Sequence, residues 1–118
     1  MVAEAEKRNI DNVNYIFVSD EIILEMNDNY LKHNYCTDII SFDNSSSFSN
    51  ISGEMYISID TVKENAKYYN VDFYDELLRV MIHGLLHLCG YNDDTEAEII
   101  KMREKEGKYI SYFFEIKT

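Results

Sequence analysis

The sequence predicts an α+β fold: a small mixed β-sheet of about three to four strands, packed with helices around one buried central helix. Three observations point there. Short runs rich in β-branched and aromatic residues alternate with segments of helical periodicity. One segment, Val80 to Cys89, is apolar around almost its whole circumference, as a buried helix is. The length, 118 residues with 46% apolar, suits one domain with a modest core, so residues 1–118 are read as a single domain.

The elements follow in order. Val13 to Val18 (VNYIFV) reads as a strand. Ser19 and Asp20 offer N-cap oxygens, and Ile22, Ile23, Met26, Tyr30 and Leu31 then recur at helical spacing to about Lys32. A polar loop around His33 to Thr37 leads to a second strand, Asp38 to Phe42. Asn44 to Ser52 (NSSSFSNIS) favours turns and reads as an exposed hairpin or loop. Gly53 to Ile59 alternates as a third strand. Asp60 or Thr61 is expected to cap a short helix to about Tyr69. Asp72 is expected to cap the central helix, Phe73 to about Cys89, with Gly90 as its stop. Thr95 and Glu98 form a capping-box pattern for a last helix, Glu96 to about Glu106. The tail Tyr109 to Phe114 fits strand or helix equally.

Composition excludes several classes. No apolar run approaches the roughly 20 residues of a membrane span. Met1 to Asn9 is charged and carries no secretory h-region. Cys36 and Cys89 do not make a disulfide framework, and they read as two reduced thiols of a cytoplasmic protein. The net charge of -11 argues against broad, non-specific nucleic-acid affinity, although a local basic patch or a metal ion can still hold phosphate.

The chemistry concentrates in the central helix. Arg79, His83 and His87 interrupt its apolar surface at intervals of four, which stacks them on one face. A buried arginine and two buried imidazoles all need partners. Two histidines at i and i+4 are a standard way for a helix to supply two zinc ligands. Gly90 ends the helix, and the returning chain brings Asp93 within reach as a third ligand, with Asp94 as a neighbouring candidate. Three protein ligands leave a fourth position for water, as catalytic zinc sites do. Gly84 stands where H-E-x-x-H peptidases carry their general base, which argues against proteolysis. Arg79 is a candidate for stabilising phosphate charge, and pairing with Glu76 or Asp75 is compatible with that role.

Residues His83 to Asp93, HGLLHLCGYND, are similar to the H-G-x-L-H-L-x-G-Y-D-H signature of the YbeY family, bacterial zinc-dependent endoribonucleases. LKHNYCTDIISF (Leu31 to Phe42) resembles that family's L-N-x-x-Y…T-D-V-L-S-F block, and GEMYIS (Gly53 to Ser58) its G-D-I-x-I-S block. Arg79 matches the family arginine upstream of the signature, and Ala97 to Glu106 resembles its closing acidic helix. The resemblance covers roughly residues 13–106. It implies a single-strand-directed endoribonuclease acting in rRNA processing, including small-subunit rRNA 3′-end maturation, and in ribosome quality control. It implies one zinc ion on His83, His87 and Asp93, with single-stranded RNA, rRNA and the small ribosomal subunit as partners. Asp93 stands where the family usually has histidine, which lowers the charge of the site and weakens the metal as a Lewis acid. Family members usually begin with a strand and a longer first helix. Met1 to Asp11 can supply only the end of that helix, so the sheet is expected to lack one strand.

Lys63, Lys67, Lys101 and Arg103 are candidates for a basic rim, although ordinary solvated surface is the commoner fate of such residues. His33 reads as a surface residue. Two other functions compete. One is a non-catalytic rRNA-binding or assembly module with structural zinc, which would need a closed four-ligand site. The other is a metalloprotease, which Gly84 disfavours.

Overall fold

The computed structural model describes residues 2–31 and 37–117. A short helix α1 (Val2–Ala5) precedes β1 (Asn9–Val18), α2 (Asp20–Leu31), β2 (Ile39–Asp43) and β3 (Asn50–Ser58). Three helices follow: α3 (Ile59–Tyr69), α4 (Phe73–Leu88) and α5 (Glu96–Lys117). Among the described residues the sheet has three strands in the order β1-β3-β2. The central strand β3 runs parallel to β1 and antiparallel to β2, so the sheet is mixed, as expected. Among the described residues each outer strand pairs on one edge only. His33 and Cys36 lie outside the described residues, as does the end of the helix expected to reach Lys32.

The strands alternate as the pleat requires. In β3, Ile51, Met55 and Ile57 are fully buried. β1 starts four residues before the expected Val13. Its first four residues are polar or exposed, so no inward alternation marks them, yet they pair with the start of β3. α3 is capped two to three residues earlier than expected: Ser58, not Asp60 or Thr61, is the N-cap, and its Oγ accepts from the Thr61 N–H at 3.3 Å. Thr61 instead donates to Asp20 Oδ1 at 2.5 Å, tying α3 to the start of α2. Asp72 is at the N-cap of α4 in extended conformation, without a side-chain capping bond.

α4 packs one face on the sheet and the other on α5. Val80 meets Ile57 and Val62; Ile82 and Leu86 meet Met102 and Tyr109. Gly84 marks the close approach to the sheet. A Cβ there would lie 2.5 Å from Met55 Sδ and 2.6 Å from Ile39 Cδ1. Any side chain here, a glutamate included, would have to displace those two side-chain ends. Beyond α4 the chain reverses at Gly90, whose φ of 101° is a left-handed conformation that glycine adopts without strain. The Gly90 N–H donates to the His87 carbonyl and the Tyr91 N–H to the Leu86 carbonyl. The expected capping box forms: Thr95 N–H donates to Glu98 Oε1 at 3.0 Å and Glu98 N–H to Thr95 Oγ1 at 3.1 Å.

The last helix does not stop near Glu106. α5 runs through the ambiguous tail to Lys117, because Tyr109 and Ile110 continue the stripe that packs against α4. Among the described residues, no helix is long and apolar enough to cross a membrane.

Candidate metal centre

The four-residue spacing on α4 places Arg79, His83 and His87 on one face, and the turn after Gly90 brings Asp93 to the histidines. His83 Nε2 lies 3.0 Å from His87 Nε2. Asp93 Oδ2 lies 3.3 Å from the first and 3.5 Å from the second. Two imidazole lone pairs tolerate a 3.0 Å separation only with a proton or a cation between them. A tetrahedral zinc with bonds of about 2.0–2.1 Å sets its donors about 3.3–3.4 Å apart, so this donor set fits such an ion. Among the described residues these three form the group that could hold a metal, and no fourth His, Cys, Asp or Glu joins it. Asp94 is exposed and outside the group. The side chains of His83, His87 and Asp93 are 16%, 26% and 40% exposed, so the group is seated but open on one side.

That open side is a cleft of about 510 Å³, walled by β2 and its approach from Thr37 to Asp43 and floored by the two histidines. Among the described residues its lining carries Asp38, Asp43 and Asp93 and no lysine or arginine. A smaller hollow of about 180 Å³ beside His83 and Asp93 is bordered by Arg103. Of the four rim candidates, Arg103 is the one beside the metal group; Lys63 and Lys67 sit exposed on α3, and Lys101 is exposed on α5.

Sequence reasoning missed the carboxylate behind the site. Glu106 on α5 is 2% exposed. Its Oε2 accepts from His83 Nδ1–H at 2.5 Å, which leaves Nε2 free to face the other donors. Its Oε1 accepts from Arg79 Nη1 at 3.1 Å and from Arg103 Nη1 at 3.2 Å. Burial alone would push the Glu106 carboxyl up; the bond from His83 and the charge of Arg79 outweigh it and hold the group below its usual range. The available signal was a lone carboxylate in the Met102–Glu106–Tyr109 stripe of buried residues.

Arg79 is bound more tightly than a free phosphate ligand would be. It makes a two-point contact with Glu76, Nε to Oε1 at 2.9 Å and Nη2 to Oε2 at 2.7 Å. Asp38 Oδ2 stands 3.6 Å away on the cleft side. The hydrogen bond to Glu76 is the main reason its guanidinium holds its proton more strongly than usual.

Fold and donor group together define a small α+β protein with a candidate metal centre on its central helix. Residues 1–113 match the family model described as Endoribonuclease YbeY. A protein of that description from Cytophaga hutchinsonii is 51% identical over 110 residues, covering 93% of this chain and 77% of the relative. One from Amoebophilus asiaticus is 47% identical over 109 residues, 92% of this chain and 74% of the relative. A Thermotoga maritima protein solved in solution superposes with a TM-score of 0.67 at 34% identity, over 92% of this chain and 71% of that one. The chain belongs to the YbeY family.

Proposed function

We propose that residues 1–118 act as one zinc-dependent, single-strand-directed endoribonuclease domain in the cytoplasm. It would act in rRNA processing, including 3′-end maturation of small-subunit rRNA, and in ribosome quality control. One observation carries the reading: two imidazoles and a carboxylate converge within 3.5 Å at the floor of an open cleft, in a chain of an endoribonuclease family. His83, His87 and Asp93 would hold the ion. When bound, zinc supplies Lewis acidity and an activated water for phosphodiester hydrolysis.

The chain's own residues do the rest. Glu106 fixes the His83 ring by taking its Nδ1 proton in a hydrogen bond, so Nε2 presents a lone pair. Arg79 holds Glu106 in place and keeps positive charge behind the cleft. Its Nε, Nη1 and Nη2 each donate one hydrogen bond, and Nη2 also faces Asp38 at 3.6 Å, so a phosphate in the cleft would compete with Asp38 for that charge. Leu88 and the β2 wall limit water on one side. The absence of a fourth donor among the described residues favours a catalytic metal over a structural one.

The test is metal content and cleavage of single-stranded RNA, with the parent chain and His83→Ala side by side. The variant is expected to lose both the bound metal and the cleavage. Undiminished metal in the variant overturns the ligand set, and undiminished cleavage overturns the assignment of the activity to this site.

A further inference from the structure

Arg8, just before β1, is 9% exposed. It borders a hollow of about 360 Å³ shared with Asp43, Ser45, Ser47, Phe48, Leu88 and Gly90. Its Nη2 donates to the Cys89 carbonyl at 2.7 Å. Its Nε–H has no partner, and among the described residues no carboxylate forms an ion pair with it. Asp43 lines the same hollow without forming an ion pair with Arg8; a buried guanidinium left unpaired is costly, and a ligand that brings negative charge into contact lowers that cost. The Phe48 ring lies over the guanidinium, its centroid 3.3 Å from Cζ. Phe48 is itself 77% exposed, so it has surface left for a second flat group.

This hollow continues the metal cleft, since Asp43 and Leu88 line both. The cleft itself is acidic. An anionic strand crossing the metal group would meet Arg103 at one flank and Arg8 at the other. Phosphate contacts with basic side chains and base stacking on aromatic rings are how single-stranded nucleic acid is held without sequence preference. We propose that Arg8 and Phe48 form a nucleotide subsite for single-stranded RNA, Arg8 taking a phosphate and Phe48 a base. The proposal rests on the nuclease reading above and names where its substrate extends.

Fluorescence anisotropy of a labelled oligoadenylate with the full, metal-loaded chain reads the subsite, and a gel checks that the strand stays intact. Phe48→Ala is expected to weaken binding about 5- to 100-fold, and Phe48→Trp to restore it. Arg8→Gln is expected to weaken binding and to flatten the salt dependence by about 0.7 in log-log slope. Should Arg8→Gln fail to fold, the exposed Phe48 variants decide alone. Phe48→Ala binding within about twofold of the parent overturns the subsite. So does inorganic phosphate that competes as well as adenosine monophosphate, because the base would then add nothing. Cleavage is scored separately. Binding that depends on Phe48 in a chain that never cleaves sinks the nuclease reading and keeps the subsite; cleavage without Phe48 dependence does the reverse.

Discussion

Glu106 joins the arginine and the first histidine of α4, although it stands on a different helix. Glu106→Gln keeps its shape and removes the charge that anchors both. The expected result is a metal affinity lower by about 10- to 100-fold, measured by competition with a chromophoric chelator. The same substitution changes the acid limb of stability. The folded Glu106 carboxyl lies below its ordinary 4.5, so its contribution is present above about 4.5 and is lost as pH falls through the folded value. Glu106→Gln therefore unfolds with a weaker pH dependence in that window, read by denaturant titrations at stepped pH. The donor set was legible in the sequence because His83, His87 and Asp93 sit within eleven residues, where helix periodicity and one glycine stop decide geometry. Glu106 was not, because 23 positions and a helix packing angle separate it from His83.

At the scale of elements, two close approaches differ in what they press on. A Cβ at Gly53 would meet the Phe42 carbonyl oxygen at 2.6 Å and the Leu88 methyls at 2.9 and 3.0 Å. The backbone of β2 cannot yield there. At Gly84 the obstacles are the ends of Met55 and Ile39, which can rotate. Gly53→Ala is expected to cost about 2–3 kcal/mol and Gly84→Ala about 1 kcal/mol, by urea denaturation; the reverse order would refute the packing argument. The elements themselves were readable where burial imposes a period, as in β3 and α4. They were misjudged where it does not. The first residues of β1 are exposed, and only pairing with β3 makes them strand. The YISYFF tail carries β-forming residues, yet Tyr109 continues the helical stripe set by Met102, and packing on α4 overrides propensity.

At the scale of the molecule, the N-terminal segment is fastened to α5 through one side chain. Glu6 Oε1 accepts from Tyr91 Oη at 2.6 Å; its Oε2 accepts from Tyr109 Oη, and from Lys105 Nζ at 3.3 Å. Burial works against the Glu6 charge, and the Tyr109, Tyr91 and Lys105 donors more than compensate, holding its carboxyl below the usual range. Val2 and Ala3 are buried as a result of this docking. Glu6→Gln leaves two buried or half-buried hydroxyls with a weaker acceptor and should cost about 1–3 kcal/mol in thermal unfolding. A melting temperature equal to the parent's would show that α1 is held by apolar contact alone.

The parallel pairing of β1 with β3 carries a consequence for how the chain comes to be folded. Asn9 pairs with Asn50 and Val18 with Ser58, 41 and 40 positions apart, whereas β2 meets β3 across a short connection. Long closures are entropically slow, so the β2–β3 hairpin is the natural nucleus and β1 the late arrival. During synthesis β1 leaves the ribosome well before β3, the strand that will cover its edge. The metal-binding residues emerge later still, from His83 onward. The nascent chain can thus complete its sheet, and with it the β2 wall, before it holds a single donor.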